Sequence, residues 1–155
     1  MALNTAAIAT AIAALSVSGV TVKDITGIPK AIKRADCPIF FPHPEEWEQG
    51  MRTPQDTDYV GQATVFDVVH SFRYIYLHSL STAASPMSSV YSTMAAKADL
   101  IYSALASLNV GGLVVTSISR SRFGEIAAPA AGQSSIRDVF YGCFFDFDIL
   151  EMSIS

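Results

Sequence analysis

Charged residues are scarce in this chain. They make up 15% of its 155 residues, whereas half of the residues are hydrophobic, and this balance excludes a disordered polypeptide. A chain of this length can bury a core without cross-links, so we predict a single domain over residues 1–155. A monomer with so few charges would expose much apolar surface to water. We therefore predict a homo-oligomer, in which neighbouring copies cover that surface.

Positive charge and cysteine are also in short supply. Ten basic residues stand against fourteen acidic ones, a net charge of −4, which predicts no general attraction to nucleic acid. The two cysteines, Cys37 and Cys143, lie far apart; they make no disulfide framework and favour a reducing compartment, although one bond between them stays open. No stretch approaches the roughly 20 apolar residues that span a bilayer. The apolar N-terminus lacks the basic segment of a signal peptide, so we predict no membrane partner.

Motifs with catalytic or metal-binding spacing are missing as well. The sequence contains no H-x-x-x-H, C-x-x-C, phosphate-binding glycine loop or G-x-S-x-G motif, which are the common local patterns for such sites. His70 and His78 would share one strand face, but eight residues separate them by roughly 26 Å, too far to share a metal ion. We therefore predict neither an enzyme, nor a cofactor, nor a metal site.

The sequence does contain clear changes of hydrophobic period. Ile8, Ile12 and Leu15 recur at helical spacing and predict an N-terminal helix that Gly19 ends. A second helix is predicted over about residues 85–108. Alternating patterns predict strands over about 20–25, 64–79, 113–119, 123–127 and 136–154. The predicted fold class is α+β, with an antiparallel or mixed sheet and two main helices packed on one face.

Between the first two strands lies a stretch that predicts a long aromatic loop. Residues 35–63 contain four prolines and two glycines, which interrupt any long element. Phe40, Phe41 and Trp47 lie within it. Because large aromatic side chains in a loop need cover, we predict that these three are interface anchors against a neighbouring subunit.

The last predicted strand is unusually aromatic. Residues 139–149, VFYGCFFDFDI, hold five aromatic residues and two aspartates. Phe145 and Phe147 are predicted to face the core, whereas Asp146 and Asp148 share the opposite face, roughly 7 Å apart. A carboxylate pair at this spacing could serve acid–base chemistry or bind a metal. No His-rich or Glu-rich motif accompanies it, so we interpret the pair as the polar face of a strand.

The length of two predicted strands points again to assembly. Strands of fifteen or more residues exceed the usual five or six. In a small domain their ends must project beyond the core, where only a neighbouring subunit can cover them.

The order of elements, together with several short phrases, resembles the tail terminator proteins of long-tailed bacteriophages. The matching phrases are VTVKDITGIPKAI after the first helix, DCPIFFPHPEEW in the predicted loop, DVVHSFRYIYLHSL in the long strand and FYGCFFDFDILEMSI near the end. The similarity covers nearly the whole chain as a layout. The family has no catalytic motif to match, which agrees with the absence of such motifs from this sequence.

The resemblance implies a structural virion protein, assembled in the host cytoplasm and placed at the junction of tail and neck. Its subunits would form a ring, expected to be hexameric, that caps the tube of major tail tube protein and offers a docking surface to neck or head-completion proteins. DNA would pass the lumen without specific binding, and acidic side chains there would repel phosphate. Candidate lumen-facing acids are Asp146, Asp148, Asp56 and Asp58.

Two alternatives remain open at the level of sequence. One is a neck or head–tail joining (head-closure) protein, which also builds rings. The other, of a different class, is a small cytosolic ligand-binding α+β domain that uses the aromatic strand face as a pocket. A measurement of molecular size distinguishes the ligand-binding domain from the ring-forming proteins, because a ligand-binding domain is expected to be a monomer at every concentration.

Overall fold

The structure is a computed structural model that describes residues 5–24, 32–43, 55–59, 65–110, 113–127 and 138–154. Within them the chain is α+β, as predicted, with two helices and a mixed sheet. The helices are α1 (Thr5–Ala13) and α2 (Met87–Ala106), and a short 3-10 helix spans Arg34–Asp36. The strands are β1 (Thr21–Val22), β2 (Ile39–Pro42), β3 (Gln55–Tyr59), β4 (Val65–Leu80), β5 (Asn109–Val110), β6 (Leu113–Arg120), β7 (Gly124–Ala127) and β8 (Val139–Ile154).

The eight described strands form one sheet around a central pair. The order is β1-β2-β4-β8-β6-β5, with β3 also paired to β4 and β7 also paired to β8. β1 and β2 run parallel, whereas the other pairs are antiparallel. β4 and β8 are therefore flanked on both edges: β2 and β3 pair directly with β4, and β6 and β7 pair directly with β8.

The two long strands predicted from the sequence are confirmed. β4 and β8 have 16 residues each and pair from Val65↔Ile154 to Leu80↔Phe140. At about 3.4 Å per residue this ladder is about 50 Å long. The alternation of aromatic residues explains its stability, because successive side chains on a strand point to opposite faces and bulky ones pack well there.

Gly142, the only glycine of β8, marks an irregularity in this ladder. The register shifts between Leu77 and Ser79 of β4, so His78 is the additional residue of a β-bulge opposite Gly142. A Cβ atom at position 142 would collide with the backbone carbonyl oxygen of Tyr76. Only glycine permits this close approach of the two strands.

The face of the ladder that we call the inner face carries the main core. It buries Phe72, Tyr74, Phe145, Phe147 and Ile149, each at most 6% exposed. The same hydrophobic cluster contains the following helix residues: Ile8 and Ile12 of α1, and Met94, Ala98, Ile101 and Leu105 of α2. The predicted core side of β8 is thus confirmed, and the second predicted helix, α2, buries one side in the same core.

The opposite face, the outer face, carries a second and smaller core at one end. Ile75 and Leu77 of β4 are fully buried there with Phe41, Phe140 and Ile32. Both faces of the sheet are therefore covered at this end.

Two predicted irregular regions differ from the structure. Residues 39–42 and 55–59 are strands, so the prediction of a continuous loop over 35–63 is wrong there. The prolines at 38 and 42 flank a short aromatic run instead of interrupting it, which a strand edge tolerates.

Helix α1 ends at Ala13, before the predicted stop. Gly19 has φ +72° in a turn that bridges Val17 and Val20.

Candidate functional site

The outer face of the sheet carries a group of polar side chains on three adjacent strands, which we call the polar ladder. It consists of Ser71 and Arg73 on β4, Asp146 and Asp148 on β8, and Ser117 on β6. The register places Ser71 opposite Asp148, and Arg73 opposite Asp146, while Ser117 is opposite Asp148 from the other side. The ladder therefore brings together both aspartates that the sequence singled out.

Asp146 forms an ion pair with Arg73. Nε of Arg73 donates to one carboxylate oxygen at 2.8 Å and Nη2 donates to the other at 3.2 Å. The arginine side chain is 42% exposed and the aspartate side chain is 47% exposed. Water therefore screens the ion pair, which stabilises the fold by about 1 kcal/mol or less. The Arg73 guanidinium also lies 5.4 Å from the ring centre of Phe144, within cation–π range.

Asp148 is held by two hydroxyl groups. Ser71 Oγ donates to one carboxylate oxygen at 2.7 Å, and Ser117 Oγ donates to the other at 3.2 Å. Both aspartates thus use their oxygens to tie β4, β8 and β6 together. Among the described residues, moreover, no group of three or more His, Cys, Asp or Glu side chains is placed to hold a metal ion. The ladder has the chemistry of a polar surface, with carboxylates already engaged by donors.

The other two candidate acids lie on a different strand. Asp56 and Asp58 belong to β3, which pairs with Val68 and Asp67 of β4 through a register shift. They are therefore strand residues and not loop residues. Their side-chain directions lie outside what the structure describes, and their role in a lumen stays a prediction.

The predicted interface anchors divide into two groups. Phe40 and Phe41 are fully buried within this chain, so the prediction that they anchor a neighbouring subunit is wrong. Phe40 packs edge-on against Phe145 with ring centres 5.5 Å apart, whereas Phe41 belongs to the outer core. Alternation along β2 sends the two rings to opposite faces. Trp47 lies outside the described residues, and its role stays a prediction.

The histidines on β4 are separated, as the sequence indicated. His70 is 2% exposed and stacks on Phe72 with ring centres 6.5 Å apart. His78 is 9% exposed at the bulge, where its Nδ1 lies 2.7 Å from the Tyr76 hydroxyl. A bulge turns a residue out of the regular alternation, so the sequence pattern could not predict where the His78 side chain points.

Helix α2 exposes several large apolar side chains. Tyr91, Leu100 and Tyr102 are 51%, 45% and 43% exposed. The charged residues of α2, Lys97 and Asp99, are both engaged: Lys97 Nζ donates to the Ser18 carbonyl at 2.7 Å, and Asp99 pairs with Arg120 of β6 at 2.8 Å. The solvent side of α2 is consequently poor in free charge.

Comparisons with known proteins add no family to this description. No family model matches the chain, and no curated protein matches it either. In the part of the chain that the structure describes, neither helix has the length and apolar character that crossing a bilayer requires.

Proposed function

We propose that the chain is the subunit of a phage tail terminator, a ring that caps the finished tail tube and receives the neck. The proposal combines the layout and phrases that resemble this family with the surfaces of the folded chain. In the proposed arrangement α1 and α2 cover the inner face of the sheet, six copies close a ring, and the outer surfaces meet tube, neck or neighbouring copies.

The observation that carries the proposal is the length of the β4–β8 ladder. A compact domain of 155 residues has a radius of gyration of about 15 Å, which corresponds to a sphere about 40 Å across. The ladder of two 16-residue strands is about 50 Å long. The longer of the two described helices, α2, fits within this diameter, because its 20 residues span about 30 Å. A straight ladder of that length exceeds the diameter of a compact body of this size, and a neighbouring subunit in a ring would cover its ends.

The surface of α2 supports assembly independently. A helix that faces solvent usually carries charged side chains on that side, but the two charges of α2 are engaged within the chain. The large side chains that α2 exposes are instead Tyr91, Leu100 and Tyr102. Tyrosine and other large apolar side chains suit a contact between proteins, where charged residues are depleted and tyrosine is enriched.

Fewer of the candidate acids can contribute negative charge to the proposed lumen than the sequence indicated. Asp146 is paired with Arg73, so these two side chains add no net charge to the outer face. Asp148 is hydrogen-bonded to hydroxyls, which carry no charge. Of the polar ladder, Asp148 is thus the stronger candidate to repel DNA phosphate from a lumen.

The experiment that tests the function is tail assembly in cells that lack this protein but produce all other tail components. The proposal predicts tails of uncontrolled length that fail to join heads, with both defects restored by the wild-type gene. Tails of normal length that fail to join heads would favour the head-closure alternative. Normal tails that join heads would contradict both and favour the ligand-binding domain.

A further inference from the structure

A cleft of about 250 Å³ opens at the edge of the sheet beside the bulge of β4. β2 pairs with β4 only as far as Leu77, and the residues of β4 beyond that point border the cleft. Its lining includes the following polar residues: Arg34, Cys37, His78, Ser79, Thr82 and Ser85. They come from the 3-10 segment, the end of β4 and the turn before α2.

His78 lines this cleft with a ring that can carry positive charge. Burial raises the pKa of Tyr76 well above its usual range, so its hydroxyl stays protonated beside Nδ1 of His78, 2.7 Å away. A protonated hydroxyl can donate to Nδ1 or accept a hydrogen bond from it. When the ring is protonated, both of its nitrogens carry a proton, so Nε2 is then a donor.

Arg34 and Ser79 add donors that nothing in the described chain satisfies. Arg34 has no ion-pair partner among the described residues, and its guanidinium is suited to bind an oxyanion through two parallel hydrogen bonds. Ser79 Oγ is buried without a hydrogen-bond partner. A buried hydroxyl left unpaired is costly, so it calls for a ligand or a water molecule.

Negative charge around the cleft is low. No carboxylate is among the described residues that line it, and the first turn of α2, which begins beside it, contains no acidic residue. Burial, and secondarily the charge of Asp36, raises the pKa of Cys37 to about 11, so the thiol stays neutral. Asp36 itself accepts a hydrogen bond of 2.7 Å from the backbone N–H of Lys33.

We propose that this cleft is a binding site for a small oxyanion, a phosphate or carboxylate group held by Arg34, Nε2 of His78 and the hydroxyl of Ser79. The shared chemistry is a compact anion with several acceptor oxygens, which matches a cleft lined by several donors and one fixed positive charge. Two sources can supply it, a free inorganic anion or an acidic side chain of another protein chain. The site belongs to the single chain and does not require a ring.

Binding at this site is expected to depend on pH. Burial, and secondarily the positive charge of Lys97 on α2, lowers the pKa of His78. The other groups around the ring are Tyr76 on its own strand, and Arg34 and Cys37 across the cleft. A bound anion favours protonated His78, so binding takes up a proton, raises the pKa of His78 and strengthens as pH falls through that pKa.

The test is an NMR titration of the His78 ring in the intact chain, with sodium sulfate as one probe and sodium acetate as the other, each at pH 6 and pH 8 and at matched ionic strength. Sulfate keeps its charge over this range, so a change of affinity reports on the protein. We expect saturable shifts of the His78 signals, tighter binding at pH 6, and a higher pKa of His78 in the bound state. Tighter binding of sulfate indicates an inorganic anion as the ligand, and tighter binding of acetate indicates a carboxylate source.

Two variants control for general effects of salt. Arg34→Gln removes the charge that lines the cleft and should weaken binding about tenfold or more, the worth of one charge-assisted hydrogen bond. Lys33→Gln removes a neighbouring exposed charge and should change affinity less than about twofold. The site is contradicted if neither anion gives a saturable shift of His78, or if Arg34→Gln binds as tightly as the wild type.

Discussion

The inner and outer faces of the β4–β8 ladder are made by alternate residues of the same two strands, and their chemistry differs sharply. On the inner face Phe145 and Phe147 are at most 2% exposed and pack on other rings and on helix residues. On the outer face Arg73 and Asp146 are almost half exposed and pair in contact with water. Neighbouring positions along one strand thus experience a packed apolar interior on one side and a solvated surface on the other.

This difference separates what holds the fold from what is available for function. Removing a buried phenylalanine side chain costs about 3–5 kcal/mol, whereas an exposed ion pair contributes about 1 kcal/mol or less. Substitutions on the polar ladder therefore change the chemistry of a surface without unfolding the chain. A role in contacts with other subunits or with passing DNA can be carried there at little cost to stability.

The largest expected effect comes from two adjacent phenylalanines on opposite faces. Phe145→Ala should lower the free energy of unfolding by about 3–5 kcal/mol, because the ring is fully buried against Phe40 and leaves a cavity. Phe144→Ala should cost about 1–2 kcal/mol, because its ring is only partly buried and contributes a cation–π contact with Arg73 of about 0.5–1 kcal/mol. Urea unfolding of both variants measures the difference. Equal losses would contradict the distinction between the faces.

A smaller effect is expected at the bulge, where the strands approach most closely. Gly142→Ala forces the backbone at Tyr76 to move and should cost about 1–3 kcal/mol. Gly124, the register partner of Gly142 on β7, has open space where a Cβ would lie. Gly124→Ala should therefore change stability by less than about 0.5 kcal/mol. Thermal unfolding of the two variants side by side gives the comparison, and a neutral Gly142→Ala would show that the strands are not in contact there.

The smallest effects on stability are expected on the polar ladder. Asp146→Asn weakens a half-exposed ion pair and should cost less than about 1 kcal/mol, and high salt should reduce this difference further. Asp148→Asn keeps one acceptor oxygen for Ser71 or Ser117 and should cost about 0.5–1.5 kcal/mol. Denaturation in low and high salt measures both. A loss above about 3 kcal/mol in either variant would mean that the polar ladder also holds the fold.

The same two variants distinguish a surface from a reactive site. Under the proposed function the double variant Asp146→Asn, Asp148→Asn folds and still supports tail assembly, because the charge of the carboxylates acts on passing DNA and not on ring formation. A complementation assay with the double variant in cells that lack the wild-type protein measures this. Complete loss of tail assembly by a well-folded double variant would instead indicate a specific chemical role for the pair.

Local patterns explain which parts of this fold could be predicted. β4, β8 and α2 were predicted to within a few residues at each end, because alternation and helical spacing act over neighbouring residues. β2 was missed, since its four residues lie between prolines that indicate a loop. The outer core around Ile75 was missed because burial of both faces depends on what crosses the sheet, and no local pattern encodes that.

The pairings of the candidate sites had no local basis either. The Arg73–Asp146 pair joins residues 73 positions apart, and its geometry follows from the strand register alone. The cleft brings Arg34 to a histidine in a β-bulge, which alternation cannot place. The aspartates of β8 were predicted to form a polar face, but their hydrogen-bond donors could be identified only from the pairing of the strands in the sheet.

The most direct test of the central claim, that this chain is a subunit of a ring at the end of the tail, is a cryo-EM reconstruction of the junction between tail and neck in intact particles. The account predicts a closed ring of this chain on the last layer of tube protein, with residues 65–69 and 150–154 at the end of the β4–β8 ladder in contact with a neighbouring subunit. Absence of the chain from the junction, or a chain bound there singly with that end in solvent, would contradict it.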